Sequence, residues 1–242
     1  MENSIIAWTN FTFNAWMGCM KVSPGCKNCY AETLTKNRMG LSVWGNHPRQ
    51  RTSANYWKQP LKWNKTATPG ANKVFCASLS DVFEDLEQLI PWRNDLWGLI
   101  AATPRLEWQL LTKRPENIKR FSPDKIPNNV WIGTSIENEE YVYRADILRS
   151  IDAKIRFISY EPALGPIAHK INLQGIHWMI YGGESGPNYR AEDKQWARDI
   201  EKKCRETNTA FFHKQSAAWR TEMGITLDGR TVREFPRSHI LV

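Results

Sequence analysis

The sequence predicts an α/β fold: one domain over residues 1–242, built as a partial (βα) barrel of about six to seven parallel strands with a cysteine loop near the N-terminus. Two observations lead to this prediction. Short apolar runs alternate with helix-like segments, which is the pattern of parallel strands joined by helices. Each apolar run also ends in polar residues, and the carboxyl ends of parallel strands form the functional face of such folds.

Three of the five cysteines lie close together, in the segment G-C-M-K-V-S-P-G-C-K-N-C-Y. Its proline and glycines predict a tight turn that directs Cys19, Cys26 and Cys29 towards one point. Three thiolates leave one position of a tetrahedral site open, and soft thiolates select zinc, copper(I) or iron-sulfur clusters. A 4Fe-4S cluster, whose fourth iron is left for a substrate or cofactor, suits such a loop. We therefore interpret residues 16–32 as a cluster-binding loop; a disulfide competes, but three cysteines cannot pair evenly.

Six apolar runs predict the strands, and three segments between them have helical spacing. The strand-like runs are residues 73–77, 108–111, 130–133, 154–158, 178–181 and 210–212. The helical segments are 84–102, 138–150 and 193–207. The polar residues that end the strands should therefore share one rim.

The polar strand ends supply the candidates for cofactor binding and catalysis. The binding candidates are Ser78, Ser80, Asp81, Thr134, Ser135, Glu137, Gly182, Gly183 and Glu184, and the catalytic candidates are Glu161 and Lys214. Two glycines let a ligand approach the backbone closely, and a following carboxylate can accept from an ammonium group. Ser80 and Asp81 also fit helix caps, and a tight turn with a solvated acid is the alternative for 182–184. Lys113, Arg114 and Lys214 are candidates for phosphate or carboxylate contacts.

The charge balance favours a polyanionic partner. Lys and Arg number 33 against 25 Asp and Glu, for a formal charge of +8. The segment Y-W-K-Q-P-L-K-W-N-K at 56–65, inside a possible nucleic-acid-contacting insertion at 40–70, can stack bases and hold phosphates. The alternative places these aromatics in the core and the lysines at a solvated rim. Both interpretations stay open at this point.

Several classes of protein lose support from the sequence. It begins without the basic stretch and apolar core of a signal peptide, and no apolar run approaches the ~18 residues needed to cross a bilayer. We expect a cytoplasmic protein with no membrane partner. The five histidines form no H-E-x-x-H pattern, and no phosphate-binding G-x-x-x-x-G-K-[ST] loop or nucleophile elbow is present.

Four segments carry a resemblance to a known family. They read V-S-P-G-C-K-N-C-Y-A-E, S-Y-E-P-A-L-G-P-I, Y-G-G-E-S-G-P and F-F-H-K-Q. The chain resembles the phage-associated three-cysteine-motif family, whose members look like radical S-adenosylmethionine enzymes. More distantly it is similar to spore photoproduct lyase, a radical enzyme that acts on thymine lesions. The resemblance implies a radical S-adenosylmethionine fold and a place in a bacterial host cell.

The resemblance also implies site roles. Cys19, Cys26 and Cys29 would ligate three irons, and S-adenosylmethionine would chelate the fourth. Tyr30 joins the cofactor-binding set, and the residues at 134–137 resemble a ribose-binding set. In the usual arrangement a Gly-Gly-Glu turn ends the second strand and holds the methionine amine. Here that turn follows the predicted strand at 178–181, late in the chain, so it competes for the role with Ser78, Ser80 and Asp81.

The implied activity is the modification or repair of a nucleotide or nucleic-acid base by a 5'-deoxyadenosyl radical, with an external electron donor. The cysteine spacing C-x6-C-x2-C departs from the three-residue first gap of the commonest radical enzymes. The alternative is a non-enzymatic nucleic-acid-binding protein whose three cysteines hold structural zinc with His47 or Cys76.

Overall fold

The computed structural model describes residues 4–236. In that range the strands are β1 (Phe11–Thr12), β2 (Trp16–Met17), β3 (Gln50–Arg51), β4 (Lys73–Cys76), β5 (Glu107–Thr112), β6 (Val130–Ser135), β7 (Ile155–Tyr160), β8 (Trp178–Gly182) and β9 (Ala210–Gln215). Seven of these described strands form one sheet in the order β1, β4, β5, β6, β7, β8, β9, and β2 pairs antiparallel with β3. The predicted α/β fold with a parallel sheet is confirmed.

Three of the α-helices in the same range lie within the predicted helical segments with shorter bounds, and the other four were not predicted. They are α1 (Tyr30–Met39), α2 (Ala54–Trp57), α3 (Gln59–Thr66), α4 (Ile90–Ala101), α5 (Ile118–Phe121), α6 (Tyr143–Arg149) and α7 (Lys194–Glu206). Short 3-10 turns precede α4 and α6, at Glu87–Leu89 and Glu139–Tyr141. None of these helices combines the length and apolar character needed to cross a membrane.

The chain divides into two compact units. Unit 1 comprises Met1–Gly133 and Ile151–Lys154, and unit 2 comprises Thr134–Ser150 and Ile155–Val242. In unit 1, β4 pairs in parallel with β1 and with β5. In unit 2, β8 pairs in parallel with β7 and with β9. The prediction of a single domain over 1–242 stays a prediction.

Aromatic side chains from the segment 56–65 build part of the core of unit 1. The Tyr56 ring stacks on Phe13 with ring centroids 5.1 Å apart, and Trp63 stacks on Phe11 at 4.7 Å. Trp63 is only 2% exposed. Offset or stacked aromatic pairs of this kind add to the free energy gained by burial. Of the two interpretations left open for this segment, the core alternative is the correct one for Trp63, because burial holds its ring out of reach of a base.

The core of unit 2 is organised around the tyrosines at the ends of β7 and β8. The ring of Tyr181 meets Tyr160 edge to face at 5.2 Å and stacks on His213 at 5.6 Å. Helix α7 begins after Asp193, whose carboxylate accepts from the backbone N–H of Gln195, and this is a standard N-cap. Cys204 on the inner face of α7 is fully buried and belongs to this core.

Candidate functional site

The cysteine loop, residues 16–32, lies in unit 1, and all three of its cysteines are half-buried. Pro24–Cys26 forms a single 3-10 turn, and Cys29 directly precedes helix α1. Burial raises the pKa of the Cys29 thiol, while the backbone N–H groups of Glu32 and Ala31 at the start of α1 act in the opposite direction. A helix N-terminus that donates to a sulfur favours its thiolate form, which is the form that binds metals.

The side chain of Cys19 has different surroundings. Its Sγ donates to the carbonyl of Met20 at 3.3 Å and accepts from Arg114 Nη1 at 3.5 Å. The pKa of Cys19 is raised to about 12, chiefly by burial and next by the nearby Asp81 carboxylate, while Arg114 acts in the opposite direction. Within residues 4–236, no three or more Cys, His, Asp or Glu side chains are arranged to hold a metal ion. The loop in this conformation therefore does not gather all three sulfurs.

Four buried charges, which we call the ionic network, hold the backbone beside Cys19. Arg49, Glu84, Arg114 and Asp81 are each at most 7% exposed. Arg49 binds Glu84 through two hydrogen bonds of 2.9 Å, and Arg114 binds Asp81 at 2.9 Å. Buried ions of opposite sign with good geometry offset the cost of removing each from water. The network has no net charge, since it contains two guanidinium and two carboxylate groups.

The ionic network forms hydrogen bonds with both the backbone N–H and the backbone carbonyl of Met20. Glu84 Oε1 accepts from the Met20 N–H at 2.9 Å, and Arg114 Nη2 donates to the Met20 carbonyl at 2.7 Å. The carbonyl of Cys19 accepts from the N–H of Gly45 at 3.1 Å. The preceding Gly18 has φ +104°, and a Cβ there would lie 2.1 Å from the Val43 carbonyl, so only glycine fits. The path of the backbone at the first cysteine is therefore fixed.

Asp81, predicted as a possible partner of the methionine amine, is the acceptor at the centre of this network. Its Oδ1 accepts from the Phe83 N–H at 3.0 Å and from the Thr112 hydroxyl at 2.7 Å. Its Oδ2 accepts from the Lys113 N–H at 3.1 Å and from Arg114. The two oxygens of this carboxylate therefore accept four hydrogen bonds, all from donors within the protein. A new cationic ligand would have to displace one of these donors.

The two serines beside Asp81 differ in their bonding. Ser78 exchanges hydrogen bonds with the Asn14 amide at 3.1 and 3.3 Å, and its carbonyl accepts from the Tyr30 hydroxyl at 3.0 Å. Ser80 Oγ is buried and makes no hydrogen bond within the described residues. The backbone of Ser80 pairs with Gly18, immediately before the first cysteine. A buried hydroxyl without a partner costs free energy unless a ligand or water satisfies it, so Ser80 is a ready donor beside the loop.

In unit 2, the two catalytic candidates form an ion pair. Lys214 Nζ lies 2.5 Å from Glu161 Oε1, and both side chains are largely buried, at 12% and 22% exposure. Glu161 directly follows β7, and Lys214 is the last residue but one of β9. Because β7 and β9 both pair in parallel with β8, the two residues lie at the same edge of the sheet. The structure thus brings the two predicted catalytic residues into direct contact, and their catalytic role stays a prediction.

The Gly-Gly-Glu turn packs against its own chain. A Cβ at Gly182 would lie 3.0 Å from Glu161 Cδ, and one at Gly183 would lie 2.1 Å from the backbone nitrogen of Ala217. The carboxylate of Glu184, 5% exposed, accepts from the backbone N–H and the guanidinium of Arg190, both at 2.8 Å. The glycines thus permit close internal packing, and the acid is paired with an arginine.

The group at the end of β6 is also internal. Thr134, Ser135 and Glu137 are at most 4% exposed. Arg144 donates to Glu137 Oε2 at 3.1 Å and to the Ser135 carbonyl at 2.8 Å, and its guanidinium lies 4.3 Å from the centre of the Tyr141 ring. A ribose role for these residues stays a prediction, with Arg144 the present partner of the carboxylate.

Comparison with known proteins identifies the family. The family model described as "Protein of unknown function (DUF5131)" matches residues 3–236. The chain belongs to this family. No curated protein matches it.

Two solved structures of spore photoproduct lyase mutants are similar in fold. One, with bound AdoMet and dinucleoside spore photoproduct, has a TM-score of 0.53 and 14% identity over 86% of this chain and 64% of that chain. The other has a TM-score of 0.54 and 16% identity over 85% and 64%. This chain thus spans just under two thirds of the lyase length. The predicted radical S-adenosylmethionine-like partial barrel is confirmed as the fold.

The ionic network is the part of the site that sequence reasoning missed. Arg114 was expected to contact a phosphate or carboxylate, and the carboxylates it contacts are those of Asp81 and Glu84. Arg49 and Glu84 carried no predicted role. Their spacing of 35 residues gives no local pattern, and the only signal was that Glu84 opens a helical segment.

Proposed function

We propose that this chain is a radical S-adenosylmethionine enzyme that modifies or repairs a nucleotide or nucleic-acid base. The observation that supports this most directly is a three-thiol loop whose backbone is clamped by buried charges, on a fold similar to a lyase solved with AdoMet. The donor set fits a 4Fe-4S cluster in its chemistry, since all three ligands are soft thiols. Cys19, Cys26 and Cys29 are the residues that would hold it.

A bound cluster would supply the electron for reductive cleavage of S-adenosylmethionine, with the electron coming from an external donor. The protein's own part is to position the sulfurs. Arg114 donates to the Sγ of Cys19 and to the next carbonyl, so it orients the first cysteine and places positive charge beside it. Hydrogen bonds to cluster sulfurs are among the factors that set the reduction potential.

The candidate contacts for S-adenosylmethionine can be ranked by whether their polar atoms already have hydrogen-bond partners within this chain. Asp81 and Glu184 accept from donors of their own chain, whereas Ser80 offers a buried hydroxyl beside Gly18. We therefore favour Ser80, with Tyr30 and Ser78 nearby, as the contact for the methionine moiety. Tyr30 leaves 56% of its surface exposed next to the last cysteine, where a ligand can cover it.

The Glu161–Lys214 pair is the candidate for proton handling at the substrate. Its short, mostly desolvated contact strengthens the electrostatic interaction between the two groups. The substrate class is proposed from the charge of +8, which favours a polyanion. The phage association and the host-cell cytoplasm implied by the resemblance are part of this proposal.

The test is anaerobic reconstitution with iron and sulfide, followed by measurement of bound iron, zinc and visible absorption. Replacing any one of Cys19, Cys26 or Cys29 with alanine should remove most of the iron, because each supplies a ligand. Cys204→Ala is the matched control, since that thiol is buried in the core. Ser80→Ala should keep its iron and weaken S-adenosylmethionine binding in equilibrium dialysis. Stoichiometric zinc with no iron in the anaerobic protein would instead support the structural-zinc alternative.

A further inference from the structure

One tryptophan stands apart from the rest of this aromatic-rich chain. All twelve tryptophans lie within the described residues, and Trp219 is the one that is mostly exposed, at 57%. Trp63, in the segment named earlier for base stacking, is buried in the core. An indole left in water forgoes the free energy that burial gives to so large a side chain. Exposed tryptophans on ordered backbone are typical of binding hot spots.

The backbone around Trp219 is held firmly. It lies in the segment 216–224, which we call the Trp219 loop. Ala218, the residue before it, donates to the Glu184 carbonyl and accepts from the N–H of Gly186, both at 3.0 Å. Ala217 donates to Glu192 Oε1 at 3.1 Å. The backbone that leads into Trp219 is therefore held by hydrogen bonds to the segment that follows β8.

The Gln215 side chain ties the same loop to the strand ends. Its amide nitrogen donates to the Gly183 carbonyl at 3.0 Å, and its oxygen accepts from the Thr221 hydroxyl at 2.8 Å and the Glu222 N–H at 2.9 Å. Gln215 is fully buried and directly follows Lys214. One buried amide thus links the loop, the glycine turn and the strand that carries the proton-handling lysine.

A cation completes the exposed surface. The guanidinium of Arg220 lies 4.6 Å from the centre of the Trp219 ring, a cation–π contact. Arg220 is exposed and forms no salt bridge with a carboxylate of residues 4–236. An aromatic face beside an unneutralised arginine is the combination that single-stranded nucleic acids meet on their binding proteins, with a base stacked on the ring and a phosphate near the cation.

We propose that Trp219 and Arg220 form a stacking platform for an unpaired base of a single-stranded or locally opened nucleic acid. The platform rests on the nucleic-acid part of the proposed function and adds the place and form of contact. A single strand is favoured over an intact duplex, because a base must leave its stack to meet the indole face. The two residues would then anchor the strand next to the segment that holds Lys214.

The test measures binding of a fluorescently labelled single-stranded oligonucleotide by anisotropy, with DNA and RNA of one mixed sequence and the matching duplex. Trp219→Ala should weaken single-strand binding roughly 5- to 150-fold, the range found for loss of one base–aromatic stack. Trp219→Phe should retain most of the affinity. Arg220→Gln should reduce the slope of log affinity against log salt by about 1, because one phosphate contact is lost. Tyr143→Ala is the matched control, since Tyr143 is an aromatic of similar exposure, 51%, outside the loop.

The outcomes separate the platform from the wider proposal. If the protein binds the single strand and Trp219→Ala binds equally well with an unchanged circular dichroism spectrum, the platform is wrong and the proposed enzyme stands. Equal loss of affinity in Tyr143→Ala would also overturn it. If the unmodified protein binds no oligonucleotide at low salt, both the platform and the nucleic-acid substrate fail, while the cluster is judged separately by iron content.

Discussion

Asp81 has either a structural role in the ionic network or a ligand role as the partner of the methionine amine. The variant Asp81→Asn distinguishes these two roles. An asparagine keeps the shape of the side chain but replaces one acceptor oxygen with a donor. Whichever way the amide is turned, its NH₂ group faces two of the four donors that now meet the carboxylate, including Arg114 on one side. It also leaves the buried guanidinium of Arg114 without its closest counter-ion.

The magnitude follows from burial. Asp81 and Arg114 side chains are 7% and 9% exposed, so little solvent screens the lost charge. Removing one partner of a buried ion pair typically costs about 3–5 kcal/mol. The matched control is Asp85→Asn, which breaks the pair with Arg120, whose side chains are 53% and 64% exposed. Exposed pairs of this kind are worth about 0–1 kcal/mol.

The assay is urea unfolding followed by circular dichroism, with the two variants compared with the unmodified protein under the same conditions. We expect a large fall in the unfolding midpoint for Asp81→Asn and almost none for Asp85→Asn. If Asp81 instead had a ligand role, the unfolding midpoint of Asp81→Asn should stay unchanged or rise, because neutralising a functional acid usually leaves stability unchanged or raises it. If Asp81→Asn is as stable as Asp85→Asn and binds S-adenosylmethionine less well, the structural role argued for Asp81 is refuted and the ligand role restored.

Two further predictions concern unit 2. Gly183→Ala should reduce the free energy of unfolding by roughly 1–3 kcal/mol and so lower the thermal midpoint, because the new methyl group would overlap the Ala217 backbone. The control is Gly98→Ala in helix α4, where a Cβ meets nothing within 4 Å, and it should leave the midpoint unchanged or raise it. A fall of equal size in both variants would contradict the packing argument. Burial lowers the pKa of His213 below its ordinary 6.5, so the unfolded chain takes up a proton more readily than the folded one. The free energy of unfolding should then be unaffected above about pH 6.5 and fall as the pH drops below it, and His213→Phe should flatten this dependence in urea titrations between about pH 5 and 8. An identical pH slope in the variant would show that other groups are responsible.

The local pattern of the sequence predicted the six described strands that have four or more residues, and three of the α-helices. Each predicted strand is present, and β6, β7 and β9 run two or three residues further than the apolar runs suggest. Thr134, Ser135 and Lys214 are thus inside strands. The error has a simple cause: an apolar run marks where both faces are buried, whereas the backbone ladder continues into polar residues whose side chains find partners. The two-residue β1 was missed because so short a strand has no period to read.

The sequence by itself determined three features: the series of strands that end in polar residues, the three-cysteine loop and the family resemblance. These features depend on local spacing and on residue type. Only the tertiary structure decided which charges meet. Arg49 and Glu84 are 35 residues apart, Asp81 and Arg114 are 33 apart, and Glu184 meets Arg190 across a turn. Whether a carboxylate is available to a ligand depends on the donors that the fold brings to it. Whether a tryptophan stacks on Phe11, as Trp63 does, or stands in solvent, as Trp219 does, is decided likewise by packing between distant segments, which no local pattern records.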